Sequence, residues 1–476
     1  MRVDESDLSS VSALSLGSST THAQGGELTA APNAALALPT ESLRPSLSIR
    51  KLALLTELKL HRCNTLTGLP DSIGELTSLR TLAVLNCASL RSLPESIGDL
   101  AALTTLNLGD CLQLSGLPQR IGDLTALSIL DLAFCRALQR LPDRIGDLAA
   151  LTALDVNFCA ELAELPERIG DLAALTVLNM HSCDALVTIP AQIGKLAALT
   201  SLRVSGRCLR SLPDSICGMP ALQWLCISSS PSMARLPHRI GDLPALEHLD
   251  VHLHDSMESL PSSIGALSRL QGLQVGDGLA GLPDSIGGLA ALTTLNLQRC
   301  GFAALPESIG ALAALTRLEA WLCQRLTRLL DSIGSLTALR TLALYHCRAL
   351  TCLPNTIGGL LALRSLCLQG CVALACLPDA IGALQALTAL SVCEMSLTAL
   401  PDSVSDLRAL RELDVSWCER MVTLPDRISN LAALKKLDIS KSGIHGVPEG
   451  VGELPLLSII NDAARESCYF FRYRDT

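Results

Sequence analysis

Eleven of the 19 cysteines recur at one spacing: Cys63, Cys87, Cys111, Cys135, Cys159 and Cys183, then Cys300, Cys323, Cys347, Cys371 and Cys418. A file of thiols could pair into disulfides or gather a metal ion. Zinc, however, needs four ligands converging on a tetrahedron, and a single file offers each thiol only its two neighbours. The file therefore reads as structural, since a thiol is a small apolar group with a weak donor that suits a dry site. His248, Asp250 and His252 form a second constellation. Alternate residues of a strand share a face, so the three could hold a metal or relay a proton; the plainer reading is a solvated polar strand face. No phosphate-cradling glycine loop, G-x-S-x-G elbow, H-E-x-x-H or paired C-x-x-C occurs. Catalytic residues, metal and cofactor are accordingly expected to be none.

The elements that must position these side chains are copies of one another. Residues 127–150 read LSILDLAFCRALQRLPDRIGDLAA. The opening L-x-x-L-x-L alternates like a half-buried strand. Leu141-Pro142 ends it, because proline has no N–H to give to a ladder and fixes its own φ. Ile145-Gly146-x-Leu148 then reads as a short turn that brings the chain back. Taking the first leucine of each unit as offset 0, seventeen units run from Leu55 to Leu434 in steps of 22 to 24 residues. A proline following an aliphatic residue (Leu-Pro in most units, Ile189-Pro190 and Val447-Pro448 in two) is present in 16 of the 17, the exception being Leu329-Leu330. A unit of this size cannot bury its own apolar edge and needs a copy on either side.

At these positions the chain resembles the leucine-rich repeat family. The stretch LPESIGDLAALTTLNLGDC at residues 93–111 is similar to repeats of plant intracellular disease-resistance proteins, of Ras-group scaffolds, and of leucine-rich effectors of plant-pathogenic bacteria. The resemblance implies an α/β solenoid: a horseshoe with a parallel concave sheet and short helical or irregular convex segments. It also implies binding of another protein as the shared activity.

Concave-side residues would stand at offsets 2, 4, 6 and 7. These offsets collect Phe134, Phe158, Trp224, Trp321, Tyr345 and Trp417, including all 3 tryptophans. A core of Leu, Ile, Ala and Cys does not need them there. Aromatics are enriched at protein-binding hot spots; the competing reading is that they stack across neighbouring strands to stiffen the sheet. Polar residues share the face: Asn107, Asp131, Asp155 and Asn179 in one column, and Arg317, Glu319 and His346 flanking Trp321 and Tyr345. This mixture suits a folded protein or an extended peptide better than a lipid. Of the two clusters, the one at Trp321 is favoured.

A net charge of −9 argues against nucleic acid, which would need a basic stripe, and against an anionic membrane surface. No run of 18 apolar residues is present, so no membrane insertion is expected. An acidic start without a secretory pattern predicts free thiols in a reducing, cytoplasmic setting; delivery into a host cell by a bacterial secretion system is the alternative. Residues 1–42 read as a disordered tail, 43–54 as a degenerate N-terminal cap, 55–456 as the repeats, and 457–476 as a C-terminal cap. In that last segment Tyr469, Phe470, Phe471 and Tyr473 would cover the terminal edge or serve as a docking motif. The expected function is a monomeric, non-enzymatic scaffold that binds a protein partner on its concave face. A secreted effector aimed at a host protein and the substrate-recruiting subunit of an enzyme complex, such as a ubiquitin ligase, are the alternatives.

Overall fold

Each Leu-Pro step closes one strand segment and opens one tight turn, and this alternation builds the repeats. The computed structural model describes residues 13–17, 36–38, 52, 54–252, 256–451, 454 and 457–461. It divides into two compact units, the first reaching Arg239 and including Leu243–Leu246, the second comprising Ile240–Asp242 and the chain from Glu247 onward.

Within each unit the strands are parallel and their leucines lie in register. In the first, Leu58, Leu82, Leu106, Leu130, Leu154, Leu178, Leu202 and Leu225 form one row. In the second, the row runs Leu249, Leu273, Leu295, Leu318, Leu342, Leu366, Leu390, Leu413, Leu437 and Ile459. Except for Ile459, which is partly exposed, these side chains are buried beneath the sheet. The other side of the core is made by 3₁₀ turns that follow each proline. Pro94 stands at φ −72°, ψ 155°; its carbonyl accepts Ile97 N at 3.1 Å, and Ile97 O accepts Leu100 N at 3.2 Å. Leu330, where proline is missing, adopts the same extended geometry and keeps the turn, with Ile333 N donating to its carbonyl at 3.1 Å. The glycine found in most of the turns lets successive turns touch; Cys217, Ser405 and Ser429 replace it in three. A Cβ on Gly98, Gly122 or Gly146 would fall 2.4 Å from the carbonyl oxygen of Arg120, Arg144 or Arg168 in the next turn.

All eleven file cysteines are buried and free. Their partner is the backbone. Cys111 donates to Val84 O, Cys135 to Leu108 O, Cys159 to Leu132 O and Cys183 to Val156 O, each at 3.2 Å. Each acceptor is the offset 5 carbonyl of the preceding repeat, so each of these four thiols ties two repeats together below the sheet edge. Burial pushes the Cys87 and Cys135 thiols up, each to about 12. On the outer side, arginines lace the turns: Arg144 bridges Asp123 at 2.7 Å and Asp147 at 2.9 Å, while Arg120 and Arg168 continue the ladder to Asp99 and Asp171.

Two short strands are described within the segment read as a tail. Ala13–Gly17 and Leu36–Leu38 are strands, the former pairing with Glu57–His61 on one side and with Leu36–Leu38 on the other. Backbone pairing at the open edge of the first repeat supplies the reason. Most of the N-terminal cap, and Tyr469, Phe470, Phe471 and Tyr473 of the C-terminal cap, lie outside the described residues; Ser458–Ile460 does add a strand to Lys436–Asp438.

Candidate partner-binding face

Two backbone devices set what the solvent side of each sheet presents. First, the residue at offset 7 turns left-handed in repeat after repeat, whatever its type: Arg62, Asn86, Asp110, Phe134, Phe158, Ser182, His346 and Trp417 all have φ between 51° and 63°. The strand ends there, and Phe134 N reaches across to Asn157 O at 2.7 Å, Phe158 N to His181 O at 2.7 Å. Bulky residues are rare in this region. Second, the offset 4 carboxylate or amide accepts the N–H two residues on. Asp131 Oδ1 takes Ala133 N at 2.9 Å and Asp155 Oδ1 takes Asn157 N at 2.8 Å. Asn179 Nδ2 donates to Asp155 Oδ2 at 3.1 Å. Asp131 and Asp155 are thus half-buried and cap their own strands. Burial raises the Asp155 carboxyl above its usual range.

In the first unit the aromatics do stack. Phe134 and Phe158 lie 4.5 Å apart at 9°, and His181 meets Phe158 edge-on at 5.6 Å. The stack leaves Phe158 37% exposed. Trp224, 38% exposed, carries the Arg203 guanidinium 6.0 Å from its ring centroid. Sequence reasoning missed Ile129 and Val177, which sit on the same face, 43% and 40% exposed. Both occupy offset 2, where large and small residues alternate: Ile129, Ala153, Val177, Ser201, Trp224. That alternation was the available signal. Ile129, Ala153, Val177, Asp131, Asp155 and Arg203 line a groove of about 370 Å³.

In the second unit Trp321 and Tyr345 are register partners with ring centroids 3.8 Å apart at 24°. Trp321 stays 37% exposed, but Tyr345, expected on the solvent side, is only 7% exposed. Trp321 covers it from above, and it packs with Ala343 and Cys367, both small. Burial pushes its hydroxyl pKa up. Glu319 is shared: Trp321 Nε1 donates to its Oε2 at 3.4 Å and Arg317 Nε lies 3.5 Å from its Oε1. His346 turns the other way, over Gly370, where its Nδ1 fills the space a Cβ would need, and approaches Glu394 at 4.0 Å. It does not join Trp321. Trp417 is partly exposed under Lys441 Nζ, 3.8 Å from its ring.

His252 bonds Asp250 through Nδ1, which raises the imidazole's pKa, whereas His248 Nδ1 occupies the space above Gly272. Among the described residues no group of three His, Cys, Asp or Glu side chains is placed to hold a metal ion. Nor is any helix among them long and apolar enough to cross a membrane.

Comparison with known proteins agrees with this architecture. A family model for a leucine-rich repeat region matches residues 36–158 and 329–460, together more than half of the chain. A leucine-rich repeat protein of Leptospira interrogans is 25% identical over 87% of this chain and 98% of its own, with a TM-score of 0.65. The Toll–Spatzle complex of Drosophila shares the fold at 16% identity, over 86% of this chain and 60% of that one, with a TM-score of 0.55. The leucine-rich repeat domain of the type III effector XopL is 27% identical over 50% of this chain and 75% of its own, with a TM-score of 0.38. No curated protein matches.

Proposed function

The chain belongs to the leucine-rich repeat family, and from that premise we propose that it is a non-enzymatic scaffold binding a protein partner on the solvent side of its parallel sheet. The observation that carries this reading is the set of exposed apolar side chains on that face: Ile129, Phe158, Val177 and Trp224 in one unit, and Trp321 and Leu322 in the other. The leucine row and cysteine file already bury the core, so folding gives these six no task of comparable weight. Two of them are aromatic anchors beside charged groups, the composition of binding hot spots. The first unit offers the broader patch, because Tyr345 is withdrawn beneath Trp321. A reducing compartment suits the thiol file, whose members are free and donate to backbone carbonyls.

The test is affinity capture from the source cell with four baits: the wild-type chain, the double variant Phe158→Ala/Trp224→Ala, Trp321→Ala, and the outer-turn variant Arg144→Ala. A protein held by wild type and Arg144→Ala but lost by one of the face variants supports the reading. Capture unchanged by both face variants moves binding off the sheet.

A further inference from the structure

Resting on that reading, we propose that the groove between Ile129 and Val177 receives an extended segment of the partner in which a lysine or arginine stands two residues from an apolar side chain. The apolar half of the argument is shape. Ile129 and Val177 project on either side of Ala153, which leaves a notch walled by aliphatic groups that water covers in the free protein. At about 370 Å³ the groove is near the lower end of ligand sites, roughly 300–1,000 Å³, which is room for side chains rather than for a cofactor.

The basic half is charge. Two residues beyond Ile129 and Ala153 on their strands, Asp131 and Asp155 are register partners, so the two carboxylates stand side by side at roughly the 4.8 Å strand spacing. Their hydrogen bonds come from neutral donors, Ala133 N, Asn157 N and Asn179 Nδ2. The nearest arginine of the groove wall, Arg203, is turned to the Trp224 ring instead. Two half-buried like charges repel, and a cation arriving from outside relieves both at once, whereas an acidic segment would add a third. The spacing joins the halves. Residues two apart in extended chain are roughly 6.6 Å apart, the same step that separates Ala153 from Asp155 on one strand. An apolar side chain in the notch therefore sets its neighbour-but-one over the acid pair.

The experiment uses a displayed library of random peptides panned on the full-length chain, followed by affinity measurement of the enriched peptides on two double variants. Asp131→Asn/Asp155→Asn removes both charges while each asparagine oxygen still accepts the strand-capping N–H. Ile129→Ala/Val177→Ala removes the walls. The proposal expects peptides enriched in an apolar-x-Lys or apolar-x-Arg pattern, in either direction, weakened roughly tenfold or more by the asparagine pair and weakened also by the alanine pair. Peptides that need the walls but carry no basic residue, or ignore the asparagine pair, overturn this inference and leave the broader reading standing. Peptides indifferent to both variants count against both. A library without binders overturns the extended-segment proposal alone, since a folded partner could still use the face.

Discussion

Replacing Phe158 by asparagine sets three effects against one another, and the structure gives their sizes. At φ 57° a bulky side chain costs about 1–2 kcal/mol, a strain asparagine largely escapes because its short side chain visits this region readily. Against that relief stands the loss of the stack on Phe134 and the edge contact with His181, together about 1–2 kcal/mol. The covered part of a ring that is 37% exposed contributes about 1–2 kcal/mol more. The net expectation is a destabilisation of about 1 kcal/mol, read as a small shift of the urea midpoint at unchanged slope. Leu154→Ala, in the buried row one strand residue before Asp155, is the yardstick and should cost about 2–5 kcal/mol. If Phe158→Asn destabilises as much as Leu154→Ala, the ring is a core element and the functional argument from it collapses. A retained fold together with about 2 kcal/mol or more of lost partner affinity is the outcome the argument requires.

Three further outcomes follow from the same geometry. Asp155→Ala should cost about 1 kcal/mol, because it strips the cap from Asn157 N and the bond from Asn179, while Asp155→Asn should cost less; the two urea titrations compared side by side decide it. Thiol labelling should find Cys208, Cys352 and Cys376 reactive in the native state and the buried file silent until denaturant is added, since burial covers those thiols and, at Cys135 and Cys159, also raises the pKa; fast native labelling of Cys135 or Cys159 would contradict this. The outer ladder should show as acid sensitivity. Hydrogen bonds from Arg144 and its neighbours lower the Asp123 and Asp147 pKa values in the folded state, so in the unfolded state these groups bind protons first as pH falls. Their contribution is full above about pH 4 and is lost on further acidification. The stability difference between wild type and Arg144→Gln should therefore shrink from pH 6 to pH 3, whereas a constant difference would show that the ladder does not form.

The repeat, the Leu-Pro turn and the cysteine file are legible in the amino-acid sequence because each rests on spacing, and every copy restates it. What could not be read there depends on how neighbouring copies meet. Position 7 holds Arg62, Asn86, Phe134 and Ser182 in different repeats, so no shared propensity betrays its left-handed backbone. Asp131 and Asp155 look like free surface carboxylates until the bend of the strand brings an N–H to each. Tyr345 is chemically an exposed hot-spot residue, yet small neighbours at Ala343 and Cys367 open a seat for it and Trp321 closes the lid. Ile129 and Val177 fit the alternation of a strand so well that their exposure passes unnoticed. The strands at Ala13–Gly17 and Leu36–Leu38 sit in Ser- and Ala-rich sequence with no repeat period and are defined by the edge they cover.

The most direct test of the sheet face as the binding surface is side-chain footprinting by hydroxyl radicals, with and without the captured partner. Phe158, Trp224, Ile129 and Val177 are each more than a third exposed in the free chain, as are Leu361 and Val422 away from this patch. The account predicts that the partner protects residues of the first group and leaves Leu361 and Val422 as reactive as before. Protection of Leu361 or Val422 with Phe158, Trp224, Ile129, Val177 and Trp321 unchanged would contradict it.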